Sequence, residues 1–404
     1  MKAAPRLLVF VLLVTVLGAA EPDSPFGVIE SYEIYLQPTD EVVDLLERPA
    51  RDAEWHFHGL SLQAIDRILS EAGLNPATHP ELASDKWLGS GDYVVLLPSK
   101  ETIMFLPPEA RRSLCRVLSR FEENYYQQHP VVFEGGDIRG WFRGTGLREE
   151  LLEVIERLSW PDGADRFLTD VPFLLGWAKN ATEEQAILRA ISRRKTTIAR
   201  LRLKPESDLA TITNYWSAGA KAKDVLPLLE AVERNPDVER IDLAHLLPPT
   251  PRKHLNLYPT LQDGRRGRFP DAWWTSVNFL NFFPIAMYGD SMNLDAQIRG
   301  RFRPMDPNES FQFGDLVFVI RSEDNVAIHA CVYLADNLVY TKNGAGVFEP
   351  WVIQSISDML AHHRHGNQLR VVGWRDKSVP ATMVPRPAPE TGVRNANGIN
   401  VILP

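Results

Sequence analysis

From Phe313 to Thr341 three apolar runs follow one another so closely that they constrain this part of the chain to an antiparallel meander. Phe313-Gly314-Asp315 reads as a turn entering a buried strand, Leu316-Val317-Phe318-Val319-Ile320. Ile328-His329-Ala330-Cys331-Val332-Tyr333-Leu334 reads as a second strand. Ala335-Asp336-Asn337 makes a tight turn, and Leu338-Val339-Tyr340-Thr341 returns as a third. Leu369-Arg370-Val371-Val372-Gly373-Trp374 adds another. Short runs of β-branched and aromatic residues bounded by turn formers are the signature of strands. Side chains alternate across a strand, so His329 and Cys331 share one face.

At the other end of the chain, Lys2 and Arg6 precede an apolar run from Leu7 to Leu17, closed by Gly18-Ala19-Ala20 before a polar Glu21-Pro22-Asp23. Charged start, short apolar run and small residues form the pattern of a cleavable signal peptide, here cut after Ala20. The run is shorter than the roughly 20 apolar residues needed to cross a bilayer. The expected location is therefore outside the cytoplasm, periplasmic or extracellular, with no membrane span in the mature chain. A net charge of -8 over 404 residues gives no basic stripe for nucleic acid. The two cysteines, Cys115 and Cys331, are too few for a disulfide framework, although a single bridge between them stays open.

The expected class is α+β with several domains: a signal peptide at 1–20, an α/β region at 21–146, a mainly helical region at 147–250, a C-terminal domain at 258–376 and a Pro-rich tail at 377–404. Tyr32–Leu36 and Tyr93–Leu97 read as strands. Ser61 and either Ser207 or Asp208 are candidate N-caps, Gly73 a left-handed stop, and Thr182 with Gln185 a capping box. Pro248-Pro249-Thr250-Pro251 and the Gly/Arg-rich run at 263–268 read as a linker.

The strand pair resembles the NlpC-type family of bacterial cell-wall peptidases, a branch of the papain superfamily. That family carries Gly-Asp-Leu-Val-Phe on one strand and His-x-Gly-x-Tyr-Leu on the next. Gly314–Phe318 and His329–Leu334 match, with Cys331 in place of the usual Gly. The resemblance covers about 120 residues and implies a papain-like domain, an N-terminal helix packed on an antiparallel sheet. It also implies a Cys at the start of that helix, activated by His329, with a third polar residue orienting the imidazole. A thiolate forms readily where a helix N-terminus and a His lower the thiol pKa.

The matching helix begins at Asp271-Ala272-Trp273-Trp274, so Ala272 stands where the nucleophile is expected. Alanine cannot attack a carbonyl. Ser276 and Cys331 are the alternative nucleophiles, and Thr341 or Asn343 fills the third position, unless Lys342-Asn343-Gly344 is simply a turn. Three readings stay open. In the first, cell-wall peptides bind without cleavage in a cleft between the Ala272 helix and the His329 strand, with Asp271, Trp273, Trp274, Asp315, Cys331 and Thr341 along it. In the second, a non-standard nucleophile keeps the domain active. In the third, the domain is a structural or interaction module.

His56 and His58 alternate onto one face but lack a third ligand, and no metal or other cofactor is expected. His362-His363-Arg364-His365 reads as an exposed helix end.

Overall fold

The computed structural model describes residues 24–46, 53–74, 86–90, 93–204, 207–218, 222–235, 237–264, 269–285, 291–306, 308–364 and 368–379. The apolar run at 7–17, the run at 265–268 and most of the Pro-rich tail lie outside them. The class is α+β, and every described strand pairs antiparallel. No helix among the described residues is long and apolar enough to cross a membrane.

The chain forms two compact units, one from Gln37–Arg193 and one from the chain up to Leu36 together with that from Arg194 onward. The second unit closes because Val28–Leu36 and Arg194–Arg202 pair along their whole length, with Leu36 opposite Arg194. Boundaries read from composition at 146 and 250 do not coincide with these junctions. A pairing between distant segments leaves no local mark in the sequence.

In the second unit a six-stranded sheet runs in the order Phe302–Pro304, Leu369–Asp376, Leu316–Arg321, Ala327–Ala335, Leu338–Lys342, Trp351–Ser355. The meander expected from the sequence is present, and its tight turn places Asp336 at a φ of 54°. Both faces of the sheet are covered. Phe318, Ala330, Val332, Tyr340 and Ile353 join a core with Val277 and Phe279, which belong to or follow the Ala272–Val277 helix. Val317, Val319, Cys331, Tyr333 and Val339 join Ile356, Met359 and Leu360 of the Ile356–Arg364 helix. Such two-sided burial accounts for near-continuous apolar strands rather than alternating ones.

The Pro-rich segment expected as a linker is the Pro249–His254 helix, with Thr250 and Pro251 buried. Proline at the first helical position lacks a donor that would be unpaired anyway, so the sequence opens a helix there.

In the Gln37–Arg193 unit, Ser61 caps the Leu62–Glu71 helix by accepting from Ala64 N at 3.2 Å, and Gly73 follows at a φ of +85°. The helix expected to be capped by Thr182 starts earlier, as Ala181–Ile191. Asn180 accepts from Glu183 N at 2.9 Å, while the Glu183 carboxylate accepts from Lys179 N at 2.6 Å. Asn outranks Thr as an N-cap, and Glu183 reaches back to the N–H of Lys179, one residue before the cap. Arg111 and Asp170 form a buried ion pair in this unit.

Candidate functional site

The Ala272–Val277 helix is opened by Asp271, whose side chain accepts from Trp274 N at 2.8 Å. Trp273 stacks on Phe318 of the sheet, ring centroids 5.5 Å apart, and Trp274 meets His254 edge-on. Thr275 Oγ1 accepts from Trp351 Nε1 at 2.9 Å. Ala272 is buried, so the expected nucleophile position does not open onto solvent.

His329 lies on the other face of the sheet. Its strand neighbours of the same parity, Cys331 and Tyr333, pack against the Ile356–Arg364 helix, whereas Ala330 and Val332 pack toward the Ala272 helix. Its own contacts agree. The His329 ring lies 4.0 Å from that of His363, and Nε2 is 2.8 Å from Thr341 Oγ1. Burial, reinforced by His363 and His362, holds its pKa well below the ordinary imidazole value, so the ring is neutral. The sheet thus separates His329 from Asp271, Ala272, Trp273 and Trp274, and the cleft expected between helix and strand does not form.

Thr341, not Asn343, is the polar partner of His329. Asn343 instead exchanges two hydrogen bonds with Gln354, at 3.2 and 3.0 Å. Asp315 does not line a cleft either. It receives a two-pronged pair of bonds from Arg375, at 2.9 and 2.6 Å, and a third from Gln312 N at 2.7 Å. Arg375 is fully buried and also reaches Glu309, which Arg303 grips from the other side. The Arg303 hydrogen bond brings the Glu309 carboxyl down to about 2. These four residues tie the Arg375 end of the Leu369–Asp376 strand to the Phe302–Pro304 strand and to the turn that enters Leu316–Arg321.

The alternative nucleophiles are equally constrained. Ser276 is buried and its hydroxyl donates to Ala272 O at 2.8 Å, back into its own helix. Burial alone pushes the Cys331 thiol far above its usual range, and it pushes Cys115 up to about 11. Both cysteines are free thiols, neither in the electropositive, accessible setting a reactive cysteine needs.

One charged residue escaped the sequence reading. Lys342 is fully buried on the face of the sheet that carries the Ala272 helix, 5.7 Å from the centre of the Trp351 ring. Its ammonium donates to Gly344 O at 2.6 Å and Gly346 O at 2.8 Å. Burial lowers its pKa to about 8, opposed by Glu349 and Asp271. The signal was available, because Lys342 shares strand parity with the inward-facing Leu338 and Tyr340.

His56 and His58 do not converge as ligands. His56 is hydrogen-bonded to Tyr93 Oη at 2.6 Å and to Glu54 at 3.1 Å, and His58 pairs with Glu123 at 2.9 Å. Among the described residues, no three His, Cys, Asp or Glu side chains are arranged to hold a metal ion. His363, expected at an exposed helix end, is half-buried against His329.

A feature with no sequence signal is a cleft of about 530 Å³ in the unit from Arg194 onward. Trp216, Val225, Leu246, Leu280 and Phe313 form apolar walls, and Asp224, His245, Arg252, Arg301 and Asp376 are among the polar groups. The walls come from the Leu209–Trp216, Ala222–Glu233 and Pro249–His254 helices with the segments between them, and from Leu280, Arg301, Phe313 and the end of the Leu369–Asp376 strand. Pockets that are mostly apolar with a few polar groups are the common form of small-molecule sites. Compared with protein-family models, curated proteins and solved structures, the chain has no match.

Proposed function

We propose that the protein is an exported, non-catalytic binding protein whose C-terminal part descends from a papain-type peptidase domain and whose ligand site is the 530 Å³ cleft. The observation that carries this reading is the separation of the helix start from His329 by the thickness of the sheet. An acyl-transfer site needs nucleophile and base within hydrogen-bond reach. Here the helix offers alanine, and the only histidine of the motif faces away from it. The motif itself supports the ancestry, and the signal-peptide pattern supports export.

The cleft's lining, apolar over most of its surface with Asp224, His245, Arg252 and Arg301 among its polar side chains, favours a compact, mainly apolar ligand. An anilinonaphthalene sulfonate dye is a suitable probe. It is expected to bind saturably to the wild type and to lose affinity roughly tenfold or more in Leu228→Glu, which puts a carboxylate at the cleft's exposed rim. Competition by wall-derived peptides would place those peptides in the same cleft. Dye binding untouched by Leu228→Glu would move the site elsewhere.

Ala272→Cys is expected to give a folded protein without hydrolytic activity on wall peptides, because no imidazole reaches the new thiol. Appearance of hydrolysis that disappears again in Ala272→Cys/His329→Ala would sink the non-catalytic reading.

A further inference from the structure

We infer that Phe282-Phe283-Pro284-Ile285 is a membrane-docking tip that seats in the interface of an anionic lipid surface, with Arg252 and Lys253 on the headgroups. Phe282, Phe283 and Ile285 are 61%, 79% and 39% exposed, and Pro284 between them is exposed too. The two rings meet edge to face, 4.7 Å apart. Contiguous apolar side chains of this kind on a surface mark a contact site, whereas scattered ones do not.

The tip is held out by its own polar base. Asn278 is fully buried, and its Oδ1 accepts from Ile285 N at 2.7 Å while its Nδ2 donates to Trp274 O at 3.0 Å and Ile285 O at 3.3 Å. Asn281 donates to the same Asn278 Oδ1 at 3.0 Å and accepts from Arg301 at 2.7 Å. Thr250 Oγ1 donates to Asn281 O at 2.7 Å and is 3.3 Å from Phe282 O. With these backbone groups bonded inward, the segment presents side chains to the outside at little desolvation cost.

The occupant follows from charge. Thr250 belongs to the Pro249–His254 helix, so its bonds to Asn281 O and Phe282 O set the tip against that helix, whose last turn carries Arg252 and Lys253. Both cations are exposed, and neither has an ion pair among the described residues. Aromatic and aliphatic residues insert at the acyl boundary while neighbouring Lys and Arg stay at the phosphates, which is the arrangement found here. The chain's net charge of -8 does not oppose this, because screening beyond about 10 Å leaves local cations to set the contact. Two exposed cations with no ion pair among the described residues complement anionic headgroups.

The test is co-sedimentation with vesicles of phosphatidylglycerol in phosphatidylcholine, against pure phosphatidylcholine. It uses the full chain and, in parallel, the chain from Glu21 onward, so that the apolar run at 7–17 is not mistaken for the tip. Binding to the anionic vesicles is expected, weakened by salt. It should fall at least roughly tenfold in Phe282→Ala/Phe283→Ala. In Arg252→Gln/Lys253→Gln it should fall by a similar factor, at about 1 kcal/mol per cation. The charge variant keeps the test decisive if the aromatic one misfolds. No binding at low salt, or equal binding by wild type and both variants, overturns the inference. So does self-association in sedimentation analysis that the aromatic variant abolishes, which would make a second copy the occupant.

Discussion

Replacing Arg375 with Met is expected to destabilise the protein by about 3–5 kcal/mol, because it leaves the buried Asp315 carboxylate without its partner. For a unit of this size that is a fall of about 6–20 °C in Tm, readable by circular dichroism. Asp315→Asn in the same chain should recover part of the loss, since it removes the stranded charge. Arg375→Lys should recover little, because a single ammonium cannot reproduce the paired bonds to Asp315 together with those to Glu309 and Ser310 O. A loss below about 1 kcal/mol in Arg375→Met would mean that the network is not a clamp on the sheet.

The second large effect is acid lability through His329. Its folded pKa lies well below 6.5, the value for the unfolded chain. Below pH 6.5 the unfolded state therefore binds a proton that the folded state refuses. The His329 contribution is fully present above pH 6.5 and is lost as the pH falls, at about 1.4 kcal/mol per unit, until the folded pKa is reached. His329→Met removes the titrating ring at similar volume, so the difference between wild-type and variant stability should slope with pH below 6.5 and flatten above it. Urea midpoints across that range measure it, and parallel curves would show that His329 is not the group responsible. His362 and His363 stand close enough for their charge to bear on His329, which makes the double substitution His362→Gln/His363→Gln a useful control.

Neither effect depends on catalysis, and the positions singled out from the sequence hold structural roles. Asp315, part of the peptidase-like strand motif, is an ion-pair partner of Arg375. His329 is a neutral core residue bonded to Thr341. Ser276 has turned its hydroxyl into its own helix.

What could be read from the sequence was local. The strands of the meander, the turn at Asp336, the cap at Ser61 and the shared face of His329 and Cys331 all follow from spacing and side-chain chemistry within a few residues. Parity also implied an inward Lys342. The division into units was not legible, because it rests on the pairing of Val28–Leu36 with Arg194–Arg202 across an intervening compact unit. The site was not legible for the same kind of reason. Alternation along a strand says which residues share a face, but not which helix will cover that face. Only the packing of the Ala272 helix on one side of the sheet and the Ile356–Arg364 helix on the other decided that His329 faces away from Ala272.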